Sequence, residues 1–181
     1  MAKRKTTAKP PKKNLSKPAK KSAAKGKPQL YTIEVSLLQG LMTEKFVKAN
    51  PTITRVIQIR GDQTLEDLHH AIFKAYDRFD AHMYEFQFGK RTMEGPRYVL
   101  AMAMENDFGE KAAGVVEETT IDSLGLKKDR AFGYWFDFGD DWWHQLDVLA
   151  VEAEIPPGKY PKITGRVGKS PRQYLSEEDD E

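Results

Sequence analysis

The segment Phe132 to Leu149, FGYWFDFGDDWWHQLDVL, carries all three tryptophans of the chain and narrows the range of folds more than any other stretch. Read in twos, Phe132, Tyr134, Phe136 and Phe138 share one face of a strand, while Gly133, Trp135 and Asp137 share the other. Aromatic residues at this density favour strand over helix. Gly139, Asp140 and Asp141 supply turn chemistry, after which Trp142, His144, Leu146 and Val148 alternate on one face of a second strand. The segment is a predicted β-hairpin. Rings of this size bury large apolar areas, so the hairpin belongs at the centre of a sheet with Phe136, Phe138 and Trp142 in the core. An edge position would leave those rings wet.

The 181 residues suffice for one domain with a proper core and a tail. From Leu30, the alternation of Tyr31, Ile33, Val35 and Leu37 predicts a strand running towards Gly40. Leu41 to Asn50 is a short helix or an irregular excursion, stopped by Asn50-Pro51. Ile53, Val56, Ile57 and Ile59 then predict a second strand, paired with the first. The clearest helix spans Leu65 to Phe79, where Leu65, Leu68, Ile72, Tyr76 and Phe79 recur on one face, with Thr64 placed to cap it. Leu65, Leu68 and Ile72 are core candidates. Tyr84, Phe86 and Phe88 predict a third strand, and Tyr98 to Met104 another; Glu105 to Glu118 reads as loop, and Thr120 to Leu126 as a helical turn ending near Gly125. The order predicts an α+β fold. It is a mixed β-sheet with one main helix packed on a face, similar to a β-grasp or ubiquitin-like arrangement. The folded domain is expected over 30–165, between a tail at 1–29 and an irregular, acidic end at 166–181.

Charge is divided unevenly along the chain. Residues 1–29 carry eleven Lys and Arg and no acid, leaving eighteen basic and twenty-seven acidic residues for 30–181. The basic positions are Lys3, Arg4, Lys5, Lys9, Lys12, Lys13, Lys17, Lys20, Lys21, Lys25 and Lys27. A segment this poor in apolar side chains cannot offset the entropy of ordering, so it is expected to be disordered. Its charge can neutralise phosphates, which makes nucleic acid the expected partner. The alternatives are a solubilising extension and an arm that folds back over the acidic body. The absence of cysteine excludes thiol chemistry and disulfides and fits a reducing compartment. No secretory h-region or bilayer-length apolar run occurs, so a cytoplasmic protein without membrane contact is expected.

Four stretches together resemble the plasmid pRiA4b ORF-3-like family: Pro51-x-Ile53-x-Arg55, Thr64-Leu65-Glu66-Asp67-Leu68-His69, His82-Met83-Tyr84-Glu85-Phe86, and Phe136 to His144. They occur in the family's order and cover roughly Leu30 to Thr164. The resemblance implies a fold and an association with plasmids and transposons; it implies no biochemical activity. Many members continue after the hairpin into a Cys-Pro-Pro-Glu-Asp-like segment, whereas Lys159 to Tyr174 reads KYPKITGRVGKSPRQY. Any role that family segment has through cysteine is absent here.

The weak catalytic candidates are His69, His82, His144, Asp137 and Asp140. Imidazole and carboxylate suit several divalent ions, and one reading joins these side chains into a polar cluster or metal site. The plainer reading is a set of half-buried histidines satisfied by hydrogen bonds, and turn aspartates bonding local backbone. No HExxH-like spacing supports a metal, so the plainer reading leads and neither metal nor cofactor is expected. Gly165 to Ser170, GRVGKS, imitates a phosphate loop, but Ile163 stands where the first glycine belongs and Pro171 blocks the helix that should follow. Base stacking on the hairpin is disfavoured, since Phe132 to Leu149 contains four Asp and no Lys or Arg. The sequence therefore points to a non-catalytic binding module with a nucleic-acid-seeking arm. The rivals are an enzyme with a His/Asp site near the hairpin and a protein–protein adaptor.

Overall fold

Alternating apolar residues put strand β1 at Leu30–Gln39 and β2 at Thr54–Arg60, antiparallel to it, with Ile33 opposite Ile57. Between them lies the short helix α1, Glu44–Ala49, whose cap Thr43 accepts a hydrogen bond from the Phe46 N–H. Helix α2, Leu65–Ala75, starts on a capping box in which Thr64 and Asp67 satisfy each other's backbone N–H groups. The chain continues through β3 (Tyr84–Gln87), β4 (Arg97–Val99), the helical turn α3 (Ala101–Met104) and β5 (Gly114–Val115). After a 3₁₀ turn at Asp122–Leu124 come β6 (Ala131–Phe136), β7 (Trp142–Glu152) and β8 (Lys162–Val167). This computed structural model describes residues 26–89, 94–104 and 112–175. All the arm positions except Lys27 therefore lie outside the described residues, as does the acidic run 177–181.

Among the described residues the strands form one mixed sheet of eight, in the order β5-β4-β3-β6-β7-β1-β2-β8, with only β4 and β5 parallel. The aromatic hairpin β6–β7 occupies its middle. Phe132, Tyr134 and Phe136 from β6, and Trp142, Leu146 and Val148 from β7, join Ile33, Ile57 and Phe86 in one buried cluster. Leu65, Leu68, Ile72 and Ala75 of α2 complete that cluster. Within the described residues no helix is long and apolar enough to cross a membrane.

Several boundaries differ from the sequence expectations for identifiable reasons. Phe138 was expected in the core but is 39% exposed. Asp137 takes a left-handed φ of 55°, which ends β6 at Phe136 and breaks the alternation one residue before Phe138. Helix α2 stops at Ala75, because Asp77 is also left-handed at φ 56° and Arg78 N–H bonds back to the Phe73 carbonyl. Phe79 consequently leaves the helical stripe and is 74% exposed. Tyr98 to Met104 is not one strand; it turns helical after Val99. Beyond the expected domain limit, β8 runs on to Val167, and residues to Leu175 pack back on the fold.

Candidate functional site

The five candidates divide into an inner and an outer group. His69 projects from the buried face of α2, and its ring stacks on Tyr84 at 3.6 Å with 2° between planes. Its Nδ1 shares a 2.7 Å hydrogen bond with the Tyr134 hydroxyl. His144 projects from β7 onto the same side, with Tyr76 edge-on at 4.9 Å and Tyr134 at 5.3 Å. Burial pushes the pKa of each imidazole down to about 3, so both rings are neutral near neutral pH. Neither nitrogen of His144 has a partner in good hydrogen-bond geometry among the described residues. Helical phase places His69 inside and leaves His70 exposed, as the stripe predicts.

The outer group sits where β3 begins and β6 ends. His82 Nε2 lies 2.8 Å from the Tyr174 hydroxyl and 3.5 Å from Oδ2 of both Asp80 and Asp137. Tyr174 donates its own proton to Asp80 at 2.7 Å, so its oxygen accepts from His82. That bond holds the Asp80 carboxyl below its usual range and pushes the Tyr174 phenol up to about 12. Asp137 is chiefly a turn residue. Its Oδ1 accepts from Gly139 N–H, and its carbonyl accepts from Asp140 and Asp141. Asp140 belongs to the same turn and bonds neither group of histidines.

Arg78 lies between the groups, and sequence reasoning missed it because it follows the helix end, where no periodicity marks it. It is only 7% exposed, with its guanidinium 3.6 Å above the Trp142 ring. Burial lowers its pKa to about 10, opposed by the phenols of Tyr134 and Tyr76 and the carboxylates of Asp137 and Asp140, so it stays a cation. Its charge adds to burial in keeping His144 neutral. Among the described residues, Nε and Nη2 of Arg78, Nε1 of Trp142 and the Tyr84 hydroxyl find no acceptor. Phe136 packs against both His69 and His82, at 6.2 and 6.1 Å, but no hydrogen bond among the described residues joins the inner and outer groups. Nor is any set of three His, Asp or Glu among those residues arranged to hold a metal ion. The arrangement can therefore order polar groups inside a core and relay hydrogen bonds at its rim. It does not gather the five candidates into one cleft.

Residues 168–175 form a strap over this rim. Gln173 is buried and mimics a strand partner, accepting from the Phe79 and Asp80 N–H groups and donating to the Asp80 carbonyl. Ser170 donates to Asp77 at 2.6 Å and accepts from Arg55 at 2.9 Å. Arg55, 1% exposed, also donates to the carbonyls of Thr54, Ala75 and Val167. The Pro51-x-Ile53-x-Arg55 stretch thus contains the arginine that ties the end of α2 to the strap. Spacing alone gave Arg55, Gln173 and Tyr174 no role, because each has its partners far away in sequence.

A search of curated proteins finds no match to the chain. Among solved structures, the fold is similar to the crystal structure of a protein of unknown function from Methanosarcina mazei Go1, with a TM-score of 0.57 and 23% identity. The similarity covers 79% of this chain and 72% of that one. The family model described as plasmid pRiA4b ORF-3-like protein matches residues 43–174, from the cap of α1 to Tyr174 of the strap. The chain belongs to the plasmid pRiA4b ORF-3-like family.

Proposed function

We propose that the protein is a non-catalytic binding module that holds nucleic acid non-specifically through its basic arm. The observation that carries this is the charge division: eleven Lys and Arg without an acid in residues 1–29, against a body in which acids outnumber bases. An arm of this composition gains affinity by releasing counterions from phosphates, a contribution that does not depend on reading base edges. The inner histidines fit the non-catalytic part, since rings held neutral by burial are weak general bases near neutral pH. A role on nucleic acid, including that of mobile elements, fits a cytoplasmic protein. The β-grasp comparison belongs with these inferences and rests on α2 following an antiparallel strand pair and packing against β2.

Binding titrations with duplex and single-stranded oligomers at several salt concentrations test the reading. Affinity is expected to fall with salt, with a log–log slope of about −0.9 per phosphate neutralised on duplex and about −0.7 on single strands. Changing the eleven arm cations to Gln in the full chain should remove that dependence. Unchanged binding by this variant would move the site into the body. A second reading, an enzyme, draws on the outer group, where His82 meets Tyr174 at 2.8 Å and Asp137 at 3.5 Å. It requires a turnover that His82→Ala abolishes while the fold is retained.

A further inference from the structure

Where the strap crosses the end of α2 it leaves an open groove of about 700 Å³, within the size range of ligand clefts. One half of its lining is cationic, with Arg166, Lys169 and Arg172; Arg55 lies beneath, and Asp77 is the sole carboxylate among the lining residues. Arg55 is consumed by four protein acceptors, and Arg166 is engaged by the end of α2 and by Asp77. Both still set the potential of the groove. The other half is aromatic. Phe79 is the most exposed large apolar residue among those described, and Tyr174 meets it edge-on at 5.9 Å. At 74% exposure, most of the Phe79 ring is open to solvent.

A cationic wall beside an exposed aromatic ring is the combination that holds a nucleotide unit, with the phosphate on the cations and the base on the ring. It is also a local reversal of charge in a body rich in acid, which draws a phosphate chain to this groove rather than to the rest of the body. We infer that the groove between Phe79 and Lys169 binds a nucleotide unit of single-stranded nucleic acid, stacking its base on Phe79 and neutralising its phosphate with Lys169, Arg166 and Arg172. A paired base does not offer the free face that stacking needs, which selects single strands over duplex. The inference rests on the nucleic-acid reading above and gives it a second, structured contact.

The two contacts can reach the same strand. The arm enters the fold at Leu30, paired with Arg60 at one end of β2, and the groove lies at the Thr54 end, where β2 pairs with Val167. Seven residues of β2 separate them, roughly 20 Å at strand rise. An extended arm of the length of residues 1–29 spans several times that distance, so a strand held by the arm is presented to the groove at high effective concentration.

The test compares an oligothymidylate with an abasic strand of equal length, using the full chain, its arm-neutralised variant, Phe79→Ala and Lys169→Gln. The full chain should prefer the base-bearing strand by roughly tenfold, the value of about one stacked base. Phe79→Ala should erase that preference without changing affinity for the abasic strand. Lys169→Gln should weaken both and flatten the salt slope. Thymidine monophosphate should compete weakly with the oligothymidylate in the wild type and not in Phe79→Ala; strong competition would assign the groove to free nucleotides. Equal binding of the two strands by the wild type leaves the arm reading standing and overturns the groove, as does a preference that survives Phe79→Ala. In the arm-neutralised variant the preference should persist at lower affinity; a preference retained there at unchanged affinity, and lost in Phe79→Ala, upholds the groove and overturns the arm. Binding to neither strand defeats both.

Discussion

At Trp142 the centre of the core meets a buried cation. The ring is fully enclosed, Arg78 covers one face, and a β-carbon built on Gly40 would come within 2.0 Å of the ring atoms. Trp142→Ala should cost about 3–5 kcal/mol, the range for removing a large aromatic from a packed interior, and it would leave Arg78 without its stacking surface. Chemical denaturation decides this, and an unchanged midpoint would contradict the enclosed ring. Phe138→Ala is expected to cost no more than about 1 kcal/mol, because Phe138 contacts only the outer-face ring of Trp135 among aromatic neighbours. His69→Gln should cost about 1–3 kcal/mol through the lost stacking on Tyr84 and the disturbed bond to Tyr134, while His70→Gln stays within about 0.5 kcal/mol. Equal melting of these two variants would refute the helical phase. Individual residues were legible in the sequence wherever a period ran unbroken, as for Ile72 or Trp142. Phe138 and Phe79 were misplaced because each lies just past a left-handed aspartate, at Asp137 and Asp77, and the usual assignment of aspartate to turns does not say which peptide will turn.

Among elements, the C-terminus of α2 depends most on distant sequence. Its last carbonyls carry the negative end of the helix dipole, and the guanidinium groups of Arg55 and Arg166 both donate to Ala75 O. Arg55→Met, which keeps much of the stem volume, should cost about 3 kcal/mol, since it strands buried carbonyls of Thr54, Ala75 and Val167. Arg166→Met is expected to cost less, because Arg166 is part-exposed and water can replace its bonds. Urea unfolding of the pair checks the order, and a larger effect at Arg166 would reverse the assignment of the tie. The helix start was readable from Thr64 because a cap acts on its own first turn. The helix end and β8 were not, because their partners sit 91 and 112 residues away, at Arg166 for Ala75 and at Arg55 for Val167.

For the whole molecule, the buried histidines set an acid limit on stability. Their folded pKa values of about 3 lie below the ordinary 6.5, so between these values the unfolded chain binds more protons than the folded one. The stability they confer as neutral rings is fully present above pH 6.5 and is lost as the pH falls towards 3. The slope is about 1.4 kcal/mol per pH unit for each ring. Asp80, with its carboxyl held low, adds a loss of the same sign at the acid end. Denaturation midpoints measured from neutral pH down to about pH 5 isolate the histidines, because ordinary carboxylates titrate below that range. A flat profile there would mean that His69 and His144 are solvated.

The outer face of the hairpin also bears on how strand register is observed. Trp135 and Trp143 pair across β6 and β7 and lie 4.6 Å apart with 11° between their rings. Indoles so close couple their strong far-ultraviolet transitions, which gives far-ultraviolet circular dichroism a bisignate band that isolated tryptophans lack. A slip of one residue between the strands would send one ring to the opposite face and extinguish the band. The hairpin carries its own optical gauge of alignment, readable in refolding experiments without a label.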